Sequence, residues 1–186
     1  MPDAVKPGTV PFAVWLMPGK KHAVLLSEII TQLCKTYSKT PFEPHLTLVS
    51  GLCSSIEQVI SRLLEMRSTV HPLVLSIDKV DCSEEFFRTL FIQLRPSNDL
   101  EKLYSEVKGV TKESHNKNFV PHVSLMYNDM DIKQKKDLVN TIKLDKTTIL
   151  FDTVCVICPM NNKNSWYDVG SWKVVFKKKL SLHQGT

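Results

Sequence analysis

The segments Phe42-Glu-Pro-His45-Leu-Thr47-Leu48 and Phe119-Val-Pro-His122-Val-Ser124-Leu125 are one pattern written twice in a chain of 186 residues. Of the six histidines, at 22, 45, 71, 115, 122 and 183, only His45 and His122 have a hydroxyl residue two positions later. Residues i and i+2 of a β-strand project from the same face, about 6.6 to 6.8 Å apart. Each copy therefore presents an imidazole and a hydroxyl together, while Leu46, Leu48, Val123 and Leu125 face the other way into a core. A lone strand histidine followed by threonine is ordinarily a packing pair; two copies in matching contexts point to a shared task.

The surroundings of the two copies echo each other as well. Apolar spacing and punctuation predict strands over about 11–17, 44–52, 72–81, 86–95, 120–127, 147–158 and 171–181. Helices are expected over about 21–37, from Ser55 onward, over 100–110 and over 129–142, with Pro18-Gly19, Ser54-Ser55 and Pro96-Ser97-Asn98-Asp99 as start or stop signals. Strands 72–81 and 86–95 read as a hairpin. Helix, histidine strand, helix thus occurs twice. The expected class is α+β, with two pseudo-symmetric lobes, each an antiparallel sheet with flanking helices, and a site in the cleft between them. Residues 1–10 read as a flexible leader and 11–186 as a single bilobal domain.

Two imidazoles and two hydroxyls around one small volume suit a phosphate. A neutral imidazole takes a proton from water while an imidazolium gives one to a leaving oxygen, and histidine reaches both states near neutral pH. Thr47 and Ser124 would donate hydrogen bonds to non-bridging oxygens. Tyr127 follows Ser124 by three positions, at the strand's exit, where its hydroxyl is expected to reach phosphate or water. That placement assigns His122 as base toward water and His45 as acid toward the departing oxygen. Phe86 and Phe87, read as strand neighbours, should face opposite ways, one into the core and one able to stack on a base.

Composition narrows the setting. No apolar run approaches the roughly 18 to 20 residues of a membrane span, and no signal-peptide pattern opens the chain. Five cysteines of irregular spacing and the absence of any Asn-x-Ser/Thr site fit a reducing, intracellular, cytoplasmic location. Cys155-x-x-Cys158 lies in an apolar run with no second pair to complete a zinc site, so both read as buried strand residues. No metal-ligand cluster or phosphate-binding glycine loop occurs, and no cofactor is expected. A net charge of +5, dispersed except for Lys177-Lys178-Lys179, favours an anionic ligand.

With these motifs the sequence resembles the two-histidine phosphoesterase superfamily, and within it the plant and yeast cyclic phosphodiesterase branch. Phe12-Ala-Val-Trp15-Leu-Met-Pro18, Tyr127 and Ser171-Trp172-Lys173-Val174 add to the likeness, which runs from about residue 12 to 180. The resemblance implies metal-free hydrolysis of nucleoside 2′,3′-cyclic phosphates to 2′-phosphates. It also implies conversion of ADP-ribose 1″,2″-cyclic phosphate, a remnant of tRNA splicing, to ADP-ribose 1″-phosphate. It further implies aromatic contacts to base or ribose, for which Trp172, Trp15 and Phe87 are the candidates. A small nucleotide is the expected partner, with no membrane and no stable protein partner. The alternatives are an RNA-directed member, either a 2′-5′ RNA ligase or an RNA-end phosphodiesterase, and a non-catalytic module that binds a nucleotide or RNA end.

Overall fold

A computed structural model describes residues 8–66, 71–109, 119–159 and 169–180. Residues 1–7 of the expected leader, residues 67–70, 110–118, 160–168 and 181–186, and with them His115 and His183, lie outside the described residues.

The strands are β1 (Val10–Pro18), β2 (Leu46–Cys53), β3 (Leu73–Cys82), β4 (Leu90–Leu94), β5 (His122–Met126), β6 (Thr148–Pro159) and β7 (Trp172–Lys179). The helices are α1 (Lys20–Thr36), α2 (Ile56–Glu65), α3 (Asn98–Gly109) and α4 (Ile132–Val139). The repeat anticipated from sequence is realised as α1-β2-α2 and α3-β5-α4. Helix starts follow the expected chemistry: Ser55 accepts a bond from Gln58 N at 3.3 Å, and Ser97 accepts one from Leu100 N at 3.2 Å. Gly19 turns the chain out of β1 against β6, its N–H bonded to Leu150 O at 2.8 Å. A Cβ there would come within 3.1 Å of the Asp152 carboxylate and 3.2 Å of the Leu150 side chain, so those side chains would have to give by a few tenths of an ångström.

All strand pairings are antiparallel. One arm of the sheet runs β2-β1-β6-β7 and the other β3-β4-β5, and short ladders β2–β5 and β3–β6 join them. The α+β class and the two antiparallel lobes are therefore as expected, and the two lobes share one hydrogen-bonded sheet. The helices cross over: α1 packs on β5 as well as on β1, and α3 packs on β2. Each repeat thus covers the histidine strand of the other. Phe12, Leu16, Ile30, Leu46, Leu48, Leu100, Val123, Leu125 and Phe151 lie in one contiguous core, so the aliphatics of both motifs anchor as their alternation requires.

The expected strand 86–95 is shorter. Phe86–Arg88 is a turn of 3-10 helix, and β4 starts at Leu90. The Ser83 N–H and hydroxyl both donate to Arg88 O, at 3.0 and 2.9 Å, and fold the segment back on itself. Thr89 Oγ1 then accepts the Asn128 N–H at 2.9 Å and sits within 2.8 Å of Phe86 O and 2.7 Å of Asn128 O, tying the turn to the exit of β5. Buried Lys135 of α4 donates to Ser83 O at 3.0 Å. Polar closure of the turn overrides the strand propensity of the Phe-Phe pair.

Candidate active site

The ladder between β2 and β5 pairs Leu46 with Val123. Continuing that antiparallel register by one residue each way sets His45 beside Ser124 and Thr47 beside His122, all four on the face opposite the core aliphatics. Directly opposed residues in such a ladder bring their Cβ atoms to roughly 4.5 to 5.5 Å. The two motifs thus meet about a local two-fold axis, each imidazole next to the other motif's hydroxyl.

Hydrogen bonding repeats the symmetry. His45 Nδ1 lies 2.7 Å from Glu43 O, and His122 Nδ1 lies 2.8 Å from Val120 O. A carbonyl only accepts, so both rings carry their proton on Nδ1 and keep the Nε2 lone pair for the site. The proline at position −1 of each motif leaves the same carbonyl, two residues upstream, at the ring.

Aromatic rings hold the first imidazole. Trp15 stacks on His45 with centroids 3.6 Å apart and 8° between planes, and Phe42 meets it edge-on at 6.1 Å. Phe42 also stacks on Tyr127 at 4.1 Å. Trp172 lies 5.4 Å from Trp15 and 6.2 Å from Phe87, which in turn lies 5.3 Å from Tyr127. Trp15, Trp172, Phe87 and Tyr127, all anticipated from sequence, therefore border the same place as His45. Trp15 is nearly buried and presents a ring face to His45, which makes it a platform for that imidazole.

Phe86, Phe87 and Tyr127 lie otherwise than the strand pattern implies. Phe86 and Phe87 do not face opposite ways: both are half-buried, their rings meet at 5.1 Å and 89°, and both lie against Tyr127, because a 3-10 turn lacks the alternation of a strand. Tyr127 does not serve the second motif alone. Its hydroxyl is 3.5 Å from His45 Nε2, because antiparallel pairing lays the exit of β5 beside the entry of β2. The reason for giving His122 the water therefore falls.

Burial governs the titration of these groups. His45 is pushed down to about 4 by its loss of solvent, opposed in part by the Glu43 carbonyl and aided by the charge of His122. His122 is lowered too, again first by burial, with Arg88 adding to the effect and Val120 O and Glu85 opposing it. Tyr127 is held well above the usual phenol range by burial and remains a neutral hydroxyl. Ser124 donates to Phe87 O at 2.8 Å, and Thr47 is half-buried on β2.

Phe42, Phe91 and Arg88 belong to this region and carried no assignment from sequence. Phe91 meets His122 edge-on at 5.5 Å. Phe42 had a visible signal, its place three residues before His45, matched by Phe119 before His122. Phe119, however, stacks on Tyr104 of α3 at 4.0 Å. Cys155 and Cys158 are both buried, but Cys155 packs with Ala13 and Trp15 whereas Cys158 packs in the main core. Among the described residues no three His, Cys, Asp or Glu side chains gather as a metal site, and no helix is long and apolar enough to cross a membrane.

Two antiparallel lobes, each carrying a histidine strand, agree with the two-histidine phosphoesterase superfamily, in which comparison with known proteins places the chain. The model of the family described as cyclic phosphodiesterase-like protein matches residues 10–179, and the chain belongs to that family. It is similar to the cyclic phosphodiesterase of Arabidopsis thaliana, 18% identical over 126 residues, spanning 68% of this chain and 70% of the relative. Among solved structures it is similar to E. coli LigT complexed with phosphate, at TM-score 0.59 and 14% identity over 93% of this chain and 98% of the other. LigT complexed with 3′-AMP gives TM-score 0.59 and 13% identity, over 92% and 98%. At these identities the LigT likeness speaks for the fold.

Proposed function

We propose that this protein hydrolyses nucleoside 2′,3′-cyclic phosphates to nucleoside 2′-phosphates, and ADP-ribose 1″,2″-cyclic phosphate to ADP-ribose 1″-phosphate, by acid–base catalysis between His45 and His122. The observation that supports the reading is the pairing of Leu46 with Val123 between the two motifs, with each Nδ1 held by a backbone carbonyl, an arrangement that leaves both Nε2 lone pairs for substrate. Thr47 and Ser124 bind the non-bridging oxygens; Ser124 exchanges the Phe87 carbonyl for the phosphate. Trp172 and Phe87 supply ring faces to base and ribose, and Trp15 fixes His45. No step calls for a metal.

His122 takes the proton of the attacking water and His45 protonates the departing ribose oxygen. The support for that order is the stronger lowering of His45: an imidazolium that holds its proton weakly is the stronger acid, and the less lowered ring is the better base. The phosphodiester anion, entering next to His45, supplies the opposite charge that loads it with a proton. The test is a panel of the four 2′,3′-cyclic mononucleotides, ADP-ribose 1″,2″-cyclic phosphate and an RNA oligomer ending in a cyclic phosphate, assayed in excess chelator. Release of 2′-phosphates with kcat/KM at least as high on mononucleotides as on the oligomer is expected. No hydrolysis of any cyclic phosphate, or strong preference for the oligomer, overturns it in favour of a binding module or an RNA-directed enzyme.

A further inference from the structure

Arg88 ends the 3-10 turn and carries its guanidinium carbon 4.9 Å from the centroid of the Phe91 ring, whose edge lies against His122. Its Nε is buried and has no hydrogen-bond partner among the described residues. The two strand carboxylates nearest this ring, Asp81 and Asp78, have partners of their own. Asp81, across the β3–β4 ladder from Phe91, is paired with Lys79 at 2.6 Å. Asp78 accepts from Arg95 at 3.2 Å and from Gln93, the residue opposite His122 in the β4–β5 ladder, at 3.2 Å. The turn itself is fastened by Ser83, Thr89, Asn128 and Lys135, so the cation is held in place by backbone as well as by the ring.

We propose that Arg88 is a positioning residue that acts through His122: its un-neutralised guanidinium, fixed on Phe91, supplies the positive field in which His122 meets an anionic phosphate. The proposal rests on the reading of His122 as a reacting group. A cation with no carboxylate partner among the described residues keeps its full charge, and in a partly desolvated wall that charge acts at several ångströms. It attracts the phosphate and disfavours a second positive charge on His122, leaving the Nε2 lone pair free for water. The charged groups that bear on His122 are Arg88 and Glu85 from the turn and His45 from β2, while Lys79 and Asp81 of β3 act on each other and Asp81 also feels Arg88. Arg88 and Glu85 act in opposite senses on His122, and Arg88 also helps hold the Asp81 carboxyl down.

The experiment is an NMR titration of the histidine rings in the full chain, with inorganic phosphate binding measured alongside, in wild type, Arg88→Gln, Arg88→Lys and Lys79→Gln. Arg88→Gln should raise the midpoint of His122 and weaken phosphate about three- to tenfold, with His22 unmoved. Arg88→Lys keeps the charge and should stay near wild type in both. Lys79→Gln leaves Arg88 in place but releases Asp81 to pair with it, so it too should raise the His122 midpoint, whether or not Arg88→Gln folds. An unmoved His122 midpoint in Lys79→Gln, or an Arg88→Lys variant as perturbed as Arg88→Gln, overturns the proposal. Neither readout requires turnover, so absence of hydrolysis would sink the proposed function and leave this inference standing or falling by itself.

Discussion

Leu46 lies opposite Val123 where β2 meets β5, and this pair sets the geometry of the site. One residue before it on β2 is His45, and one residue after it on β5 is Ser124. Three residues further on, the same register brings Tyr127 to Phe42, whose rings stack at 4.1 Å. Two motifs far apart in sequence become one cluster through a single cross-strand contact.

The Tyr127 hydroxyl is the first feature to test. Tyr127→Phe keeps the stack on Phe42 and removes only the group 3.5 Å from His45 Nε2. We expect kcat to fall about tenfold, with stability changed by about 1 kcal/mol, since hydrogen bonds to His45 and Ser124 are lost and no apolar contact. Steady-state kinetics with a chemical-denaturation curve checks both. Unchanged kcat would show that this hydroxyl serves packing alone.

Protonation should tie binding to pH with a defined sign. Both histidines lie below their ordinary value in the free protein, His45 at about 4. A mechanism that needs one imidazolium therefore loses kcat/KM as pH rises across the neutral range, while kcat, which reports the complex, holds to higher pH because the bound anion restores the proton. A pH–rate series on one cyclic nucleotide decides it; kcat/KM still rising above pH 8 would contradict it. The same burial makes the fold acid-sensitive. The unfolded chain binds protons that buried His45 does not, so stability present above about pH 6.5 is lost as pH falls toward 4, by about 3 kcal/mol from this group.

Most of the fold was legible because its punctuation is local: Pro18-Gly19 ends β1, Ser55 and Ser97 start helices, and alternation marks Leu46, Leu48, Val123 and Leu125 as inward. The four motif residues were legible because their spacing has one meaning on a strand. The turn at Phe86–Arg88 was not, since an apolar doublet before Thr-Leu-Phe-Ile reads as strand. Its true form depends on Ser83, on a contact between Thr89 and Asn128, 39 positions apart, and on a lysine of α4. The partnership of Tyr127 with His45, and the places of Phe42, Phe91 and Arg88, depend on inter-strand register, which no local pattern carries.

That turn can be tested directly. Thr89→Val keeps shape and removes the hydroxyl that bridges Phe86 O and the Asn128 N–H. The loss should be about 2 to 3 kcal/mol, from buried polar groups left unpaired. Activity should fall with it, because Phe87 and Arg88 ride on the turn. A melting temperature within one degree of wild type would show that the hydroxyl does not hold the turn.

The order of acid and base has its own probe. A substrate whose leaving oxygen is replaced by sulfur needs little protonation, so it should rescue His45→Ala far more than His122→Ala. Equal rescue, or rescue of His122→Ala alone, would reverse or remove the assignment.

Joint action of His45 and His122 on a cyclic phosphate requires both imidazoles to react. The most direct measurement is single-turnover hydrolysis of a 2′,3′-cyclic nucleotide, with chelator, by wild type, His45→Ala, His122→Ala and the double variant. We expect losses of about 10² to 10⁴ or more for each single variant, little further loss in the double variant because the two act as a unit, and smaller losses for Thr47→Ala and Ser124→Ala. Near-wild-type turnover in either histidine variant would contradict it.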